Sequence, residues 1–178
     1  IVEQIRDAGL FAISIPGAYG GRGYTMEEQV KTHFVLCQAS AVYRARVSTT
    51  IGLGSQPILD HGTEEQKQRY LPALAAGKMT AAFALTEPDA GSDAAAITTT
   101  ATADGNGWVL NGTKRFITNS RQADVFLVMA RTGDADSGAR GISAFLVPAG
   151  TAGLSVGEAD AKMGQEASQT AEEARFET

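Results

Sequence analysis

Apolar residues recur at helical spacing through the first part of the chain and at strand spacing through the rest. Ile1, Ile5 and Ala8 fall on one face of a short helix that Gly9 ends. Phe11 to Ile15 is an unbroken apolar run and predicts an extended segment. Pro16-Gly17-Ala18-Tyr19-Gly20-Gly21-Arg22-Gly23 predicts a loop, because proline and glycine punctuate regular structure. Thr25 followed three residues later by Glu28 has the form of a capping box. Val30, Phe34, Cys37 and Ala41 follow at spacings of three or four and predict a buried stripe. A further helix fits Thr49 to Leu59. Thr63 with Gln66 forms a second capping box, opening a helix through Tyr70, Leu71 and Leu74 that stops at Gly77.

After Gly77 the period shortens. Strands are predicted at Thr80 to Thr86, Thr98 to Ala103, Trp108 to Asn111, Lys114 to Thr118, Val125 to Ala130 and Ile142 to Val147, with weaker signals at Leu154 to Val156 and Ala174 to Phe176. Asp104-Gly105-Asn106-Gly107 and Asp136-Ser137-Gly138 are turn signals, and Asn111-Gly112 has the form of a hairpin turn. Helices followed by strands give an α+β class: a helical N-terminal portion over residues 1–78, then an antiparallel β-barrel-like middle domain over 79–178.

Composition narrows the function. With 43% hydrophobic residues in 178, the chain can bury a core. A formal net charge of -5 and the lack of a dense Lys/Arg block argue against nucleic acid as a partner. No apolar run is long enough to span a membrane. One cysteine, Cys37, excludes an internal disulfide, and it with His33 and His61 makes no metal-ligand cluster. The chain opens at Ile1 inside a helical pattern and closes at Thr178 in a strand-like one, so it is expected to be truncated at both ends; no secretory signal is visible.

Two stretches carry candidate chemistry. In Phe83-Ala84-Leu85-Thr86-Glu87-Pro88-Asp89-Ala90-Gly91-Ser92-Asp93 a strand breaks at Pro88 into a turn. Gly91 allows close backbone approach, Ser92 and neighbouring N–H groups suit a phosphate, and Thr86 suits the edge of a planar heterocycle. A polar loop capped by Asp93 fits the same residues. In Asn111-Gly112-Thr113-Lys114-Arg115-Phe116-Ile117-Thr118-Asn119 a strand ends in aromatic, aliphatic and hydroxyl; such a ring packs on a flat cofactor or simply in a core.

In sequence, the pair resembles the signature of the acyl-CoA dehydrogenase family, Thr-Glu-Pro-x-Ala-Gly-Ser-Asp and then Asn-Gly-x-Lys-x-aromatic-Ile-Thr-Asn. Ile15-Pro16 with Tyr19-Gly20-Gly21 and Gly23, Pro57-Ile58-Leu59, Gly62-Thr63-Glu64-Glu65-Gln66-Lys67, Tyr70-Leu71-Pro72, Gly141 to Pro148 and Lys162-Met163-Gly164 continue the likeness over nearly the whole chain. Phe116 stands where the commonest pattern has Trp, and Asp89 where many members have Gly or Asn.

The resemblance implies FAD as cofactor and α,β-dehydrogenation of an acyl-CoA thioester to a trans-2-enoyl-CoA, with electrons passing to an electron-transfer flavoprotein. It implies that Phe83, Leu85 and Thr86 line the flavin, that Gly91 and Ser92 meet the pyrophosphate, that Ser92 also lies near the thioester arm, and that Phe116, Ile117 and Thr118 lie against the isoalloxazine ring. It implies a catalytic Glu on a C-terminal helical bundle; no Glu here matches it, so the isolated chain is expected to be inactive. A homotetramer or homodimer when full length, and a bacterial cytoplasm or mitochondrial matrix, are further implications. A flavin monooxygenase, an acyl-CoA oxidase and an interaction module that has lost flavin remain alternatives. The glycines of Gly17 to Gly23 lack dinucleotide-loop spacing. Cys37 is expected to be a buried inert thiol, His33 and His61 structural, and Arg44 and Arg46 solvent-facing.

Overall fold

The computed structural model describes residues 1–171 and 174–177. Two compact units emerge, Ile1–Ala81 with Lys162–Ser168, and Ala82–Ala161 with Gln169–Thr178.

The first unit carries five helices among the described residues: α1 (Val2–Asp7), α2 (Met26–Ala39), α3 (Ala41–Ser48), α4 (Gln56–His61) and α5 (Glu64–Ala75). Both capping boxes form. Thr25 and Glu28 exchange side-chain and backbone bonds at the start of α2, and Thr63 and Gln66 do so at α5. Each satisfies two N–H groups that a helix start leaves without partners. Ile5, Phe11, Ile13, Val47 and Ile51 form one core cluster, and Ile15, Ile58, Leu71 and Leu74 are buried as well.

Three expectations fail in this unit. Phe11 to Ile15 is not an extended strand: Leu10–Ala12 is a 3-10 turn. Its backbone is nonetheless claimed by the returning glycine loop, with Arg22 N–H on Ala12 O (2.8 Å), Tyr24 N–H on Ile13 O (2.7 Å) and Gly23 N–H on Ile15 O (2.9 Å). Thr49 to Leu59 is not one helix but a π-helical stretch, Thr49–Gly54, followed by α4; Pro57 in the first turn of α4 needs no N–H partner there. The stripe on α2 is not buried. Ser40 adopts an extended conformation that ends α2 and starts α3, and α2 has no buried residue. Phe34 is 69% exposed, Val30 is exposed and so is Cys37. They border a groove of about 440 Å³ together with Met26, His33 and Arg44. Periodicity shows which residues share a face, not whether anything covers it.

The second unit is a sheet that curls as a half-barrel. Its strands are β1 (Ala81–Ala84), β2 (Thr100–Asp104), β3 (Gly107–Lys114), β5 (Val125–Arg131), β6 (Ile142–Pro148), β7 (Leu154–Val156) and β9 (Ala174–Glu177), while β4 (Ile117–Thr118) pairs separately with β8 (Thr170–Ala171). The order is β1-β5-β2-β3-β9-β7 with β6 on β5. The sheet is mixed rather than antiparallel. Two antiparallel hairpins, β2–β3 and β5–β6, meet side by side, and the seam runs parallel at Thr100 and Arg131. Ala82, Ala84, Leu110, Ile117, Phe126 and Phe176 are among its core residues. β9 alternates, with Ala174 and Phe176 buried and Arg175 and Glu177 exposed. Glu172 and Glu173, within the polar closing stretch, lie outside the described residues.

The hairpin turn falls at Gly105-Asn106, with Asp104 paired to Gly107 and Gly105 in the left-handed region at φ 57°. Asn111-Gly112 is no turn; it runs straight through β3, with Asn111 paired to Thr100. Glycine serves a different purpose there: a Cβ on Gly112 would fall 2.3 Å from Thr99 Oγ1 and 2.7 Å from Thr99 Cα.

Candidate functional site

β1 ends at Ala84 because the next carbonyl is taken by a side chain. Lys114 Nζ donates to Leu85 O at 3.0 Å. One residue on, Arg115 N–H donates to Thr86 O at 2.8 Å. Pro88 then forces the turn: Glu87 N–H donates to Ala90 O at 2.8 Å, and Ala90 is buried beneath it. Gly91, Ser92 and Asp93 are exposed. Asp93 Oδ1 accepts from Ala95 N–H at 3.1 Å, so Asp93 caps the short turn that follows. Among the described residues no group claims the N–H of Gly91 or Ser92, or the hydroxyls of Thr86, Ser92 and Thr118. A Cβ at Gly91 would meet nothing within 4 Å, so its backbone faces open space.

The second stretch leaves β3 at Lys114 and re-enters regular structure at Ile117. Between them Phe116 sits at φ 57°, a conformation that L residues with large side chains rarely adopt. The residue is 58% exposed, with the Arg115 guanidinium 4.9 Å from the centroid of its ring. Ile117 turns its side chain into the core, leaving only its main chain for a ligand, and Thr118 is half-buried opposite Thr170. Strained backbone of this kind clusters at functional sites.

Beneath both stretches lies an ion pair. Lys114 Nζ stands 2.7 Å from Glu87 Oε1. Glu87 also accepts from Thr98 N–H (2.6 Å), Thr98 Oγ1 (2.8 Å) and Thr99 N–H (2.9 Å). Burial pushes the Glu87 carboxyl upward, but the bonds from Lys114, Thr99 and Thr98 outweigh it and hold it down at about 2. Burial likewise depresses the Lys114 ammonium, and Glu87 restores part of that loss.

Eight residues carry the sequence-derived site: Phe83, Leu85 and Thr86, all half-buried; Gly91 and Ser92, exposed; and Phe116, Ile117 and Thr118. The bond from Arg115 to Thr86 brings the two stretches together. The sequence alone names no partner for Glu87, since Lys114 lies 27 residues away. Of the discounted residues, Cys37 is exposed rather than buried. His33 Nδ1 bonds Gln29 O along its helix (2.7 Å). Arg44 is exposed, as expected, but Arg46 is half-buried and donates to Thr80 Oγ1 at 2.9 Å. Among the described residues no His, Cys, Asp and Glu side chains gather as metal ligands, and no helix is long and apolar enough to cross a membrane.

An α+β chain with an exposed aromatic, unclaimed N–H groups and unclaimed hydroxyls on one connected frame is suited to a flat, phosphate-bearing ligand. Comparison with known proteins gives the family. Residues 82–177 match the acyl-CoA dehydrogenase middle domain and residues 1–78 the acyl-CoA dehydrogenase N-terminal domain, so the chain belongs to the acyl-CoA dehydrogenase family. An acyl-CoA dehydrogenase of Bacillus subtilis is 40% identical over 172 residues, 97% of this chain and 45% of its own length. An acryloyl-CoA reductase (NADH) of Anaerotignum propionicum is 42% identical over 96% of this chain and 43% of its own. The structure of an acyl-CoA dehydrogenase from Bacillus anthracis complexed with FAD superposes with a TM-score of 0.87 at 36% identity, covering 99% of this chain and 30% of that one. The chain thus spans less than half the length of these relatives.

Proposed function

We propose that this chain supplies the FAD-holding part of an acyl-CoA dehydrogenase. The observation that carries the reading is the 2.8 Å bond from Arg115 N–H to Thr86 O, which ties the two signature stretches into one frame. The residues suit the cofactor. The main chain of Phe83 and Leu85 and the hydroxyl of Thr86 address the edge of a planar ring. The Phe116 ring, the Ile117 main chain and the Thr118 hydroxyl cover it, and the free N–H groups of Gly91 and Ser92 address the pyrophosphate. The Ser92 hydroxyl also reaches the thioester arm of the substrate. Bound there, FAD supplies a two-electron acceptor for the β-hydrogen of an acyl-CoA, the chemistry that yields a trans-2-enoyl-CoA.

The proton to be removed from the α-carbon needs a base, and no Glu in the sequence matches the family's catalytic one. Glu87 is occupied by Lys114, Thr98 and Thr99, and a carboxylate held at about 2 is a poor base at neutral pH. The isolated chain is therefore inactive or nearly so, and the complete protein, an oligomer in a bacterial cytoplasm or mitochondrial matrix, passes electrons to an electron-transfer flavoprotein. The reductase relative favours a second reading, in which the same frame serves enoyl-CoA reduction.

The test is direct. FAD is added to the full-length protein, free flavin is removed by gel filtration, and butyryl-CoA or acryloyl-CoA with NADH follows. Retained flavin absorbance that bleaches with butyryl-CoA supports dehydrogenation, and NADH consumption with acryloyl-CoA supports reduction. A colourless protein after FAD addition overturns both.

A further inference from the structure

We propose that Glu87 and Lys114 are positioning residues, whose buried pair locks the bend after β1 onto the end of β3 and thereby traps Phe116 in its left-handed conformation. The inference rests on the FAD reading above and adds what sets the geometry of that site.

The backbone on both sides of Phe116 is anchored. Upstream, the Lys114 side chain is wholly out of water; its ammonium bonds Leu85 O and Glu87 Oε1. Arg115 N–H is then held on Thr86 O. Downstream, the Ile117 side chain is fixed in the core, and Ile117 and Thr118 pair with Ala171 and Thr170. Phe116 is left to close the gap between two fixed ends. Its Cβ meets the following carbonyl in this conformation, so nothing local favours it. Glu87 reaches further, because Thr98 and Thr99 at the approach to β2 donate to the same carboxylate. Three segments distant in sequence thus converge on one ion pair. Without the Lys114 anchor the Arg115 peptide is free to turn, Phe116 relaxes to negative φ, and its ring leaves the place it now holds.

Merely structural residues would also lower stability when replaced, so the experiment separates the two effects. Lys114→Met, Glu87→Gln and the double variant are made in the complete, flavin-binding protein. Thermal stability, FAD affinity, the visible flavin spectrum and the flavin reduction potential are measured for each. Amide exchange at Arg115 is followed in the flavin-free proteins. Lys114→Met strands a buried carboxylate and Glu87→Gln a buried ammonium, so both lose stability. The double variant removes both charges and recovers much of it, yet still lacks the bond to Leu85 O. Its FAD dissociation constant is expected to stay raised on the order of 10- to 100-fold, as a misplaced contact would give. Its flavin spectrum and potential are expected to stay shifted, and its Arg115 amide to exchange faster than β5 and β6 amides. The inference is overturned if FAD affinity, spectrum and potential return with stability in the double variant, or if Arg115 protection is unchanged in Lys114→Met. A wild-type protein that takes up no FAD overturns the flavin reading instead, and takes this inference with it.

Discussion

Glu87 and Lys114 meet at 2.7 Å with only 4% and 0% of their side chains exposed. Burying two charges is costly, and such a pair persists only where its remaining hydrogen-bonding capacity is met. Glu87 meets that condition with three further donors from Thr98 and Thr99, and Lys114 makes a second bond, to the carbonyl of Leu85. The arrangement joins the bend after β1, the approach to β2 and the end of β3, and each candidate flavin-binding stretch begins beside it.

Acid should expose this pair. The Glu87 carboxyl is held at about 2 in the folded protein against an ordinary value of 4.5. A lowered pKa means that the unfolded chain binds the proton first, so stability rises with pH between those values. The contribution is complete above about 4.5 and is lost as pH falls towards about 2; its full size is on the order of 3 kcal/mol. Urea midpoints measured from neutral pH down to pH 2 should drop across that window. The Glu87→Gln variant should show a shallower drop; an identical pH slope in both proteins would falsify the assignment.

Gly112→Ala tests the close passage of β3 over Thr99. The added methyl would meet Thr99 Oγ1 at 2.3 Å and Thr99 Cα at 2.7 Å, and the second contact is with backbone that cannot rotate away. Overpacking of this kind costs about 1–3 kcal/mol, read as a lower urea midpoint at unchanged slope. A loss below about 0.5 kcal/mol would show that the two segments separate more easily than their geometry implies.

The same glycine shows where sequence reading stops. Asn-Gly between apolar runs is a strong hairpin signal, yet here it lies inside a strand, and the turn sits at Gly105-Asn106. Both turns satisfy local chemistry; the tertiary neighbour Thr99 decides what Gly112 is for. The capping boxes at Thr25 and Thr63 were legible because donor and acceptor lie three residues apart. Helical spacing places Phe34 and Cys37 on one face without saying what covers it, and both are exposed. At the site, Thr86 and Phe116 were legible as parts of two motifs. Phe116's left-handed backbone was not, because it follows from Lys114 and Ile117 being anchored on either side.

Gly91→Ala separates ligand binding from folding. Open space surrounds the position where its Cβ would stand, so stability should change by less than about 0.5 kcal/mol. A pyrophosphate lying against the Gly91 and Ser92 N–H groups would meet that methyl, so FAD affinity should fall while the melting temperature of the flavin-free protein stays put. Unchanged affinity, measured by quenching of flavin fluorescence, would move the phosphates away from this turn.

Phe116→Gly sets the conformational cost of the site against its purpose. Left-handed geometry costs a bulky residue about 1–2 kcal/mol, which glycine does not bear. Against that stand glycine's larger loss of backbone freedom, about 0.5–1 kcal/mol, and the lost contact with the Arg115 guanidinium, about 0.5 kcal/mol at an exposed site. The terms nearly cancel, so the flavin-free protein should unfold within about 1 kcal/mol of the parent. If the Phe116 ring packs on the flavin as proposed, its loss should lower FAD affinity on the order of 10-fold or more. If instead the variant unfolds far more easily and binds FAD as before, Phe116 is a packing residue, which would contradict the 58% of its surface that lies open.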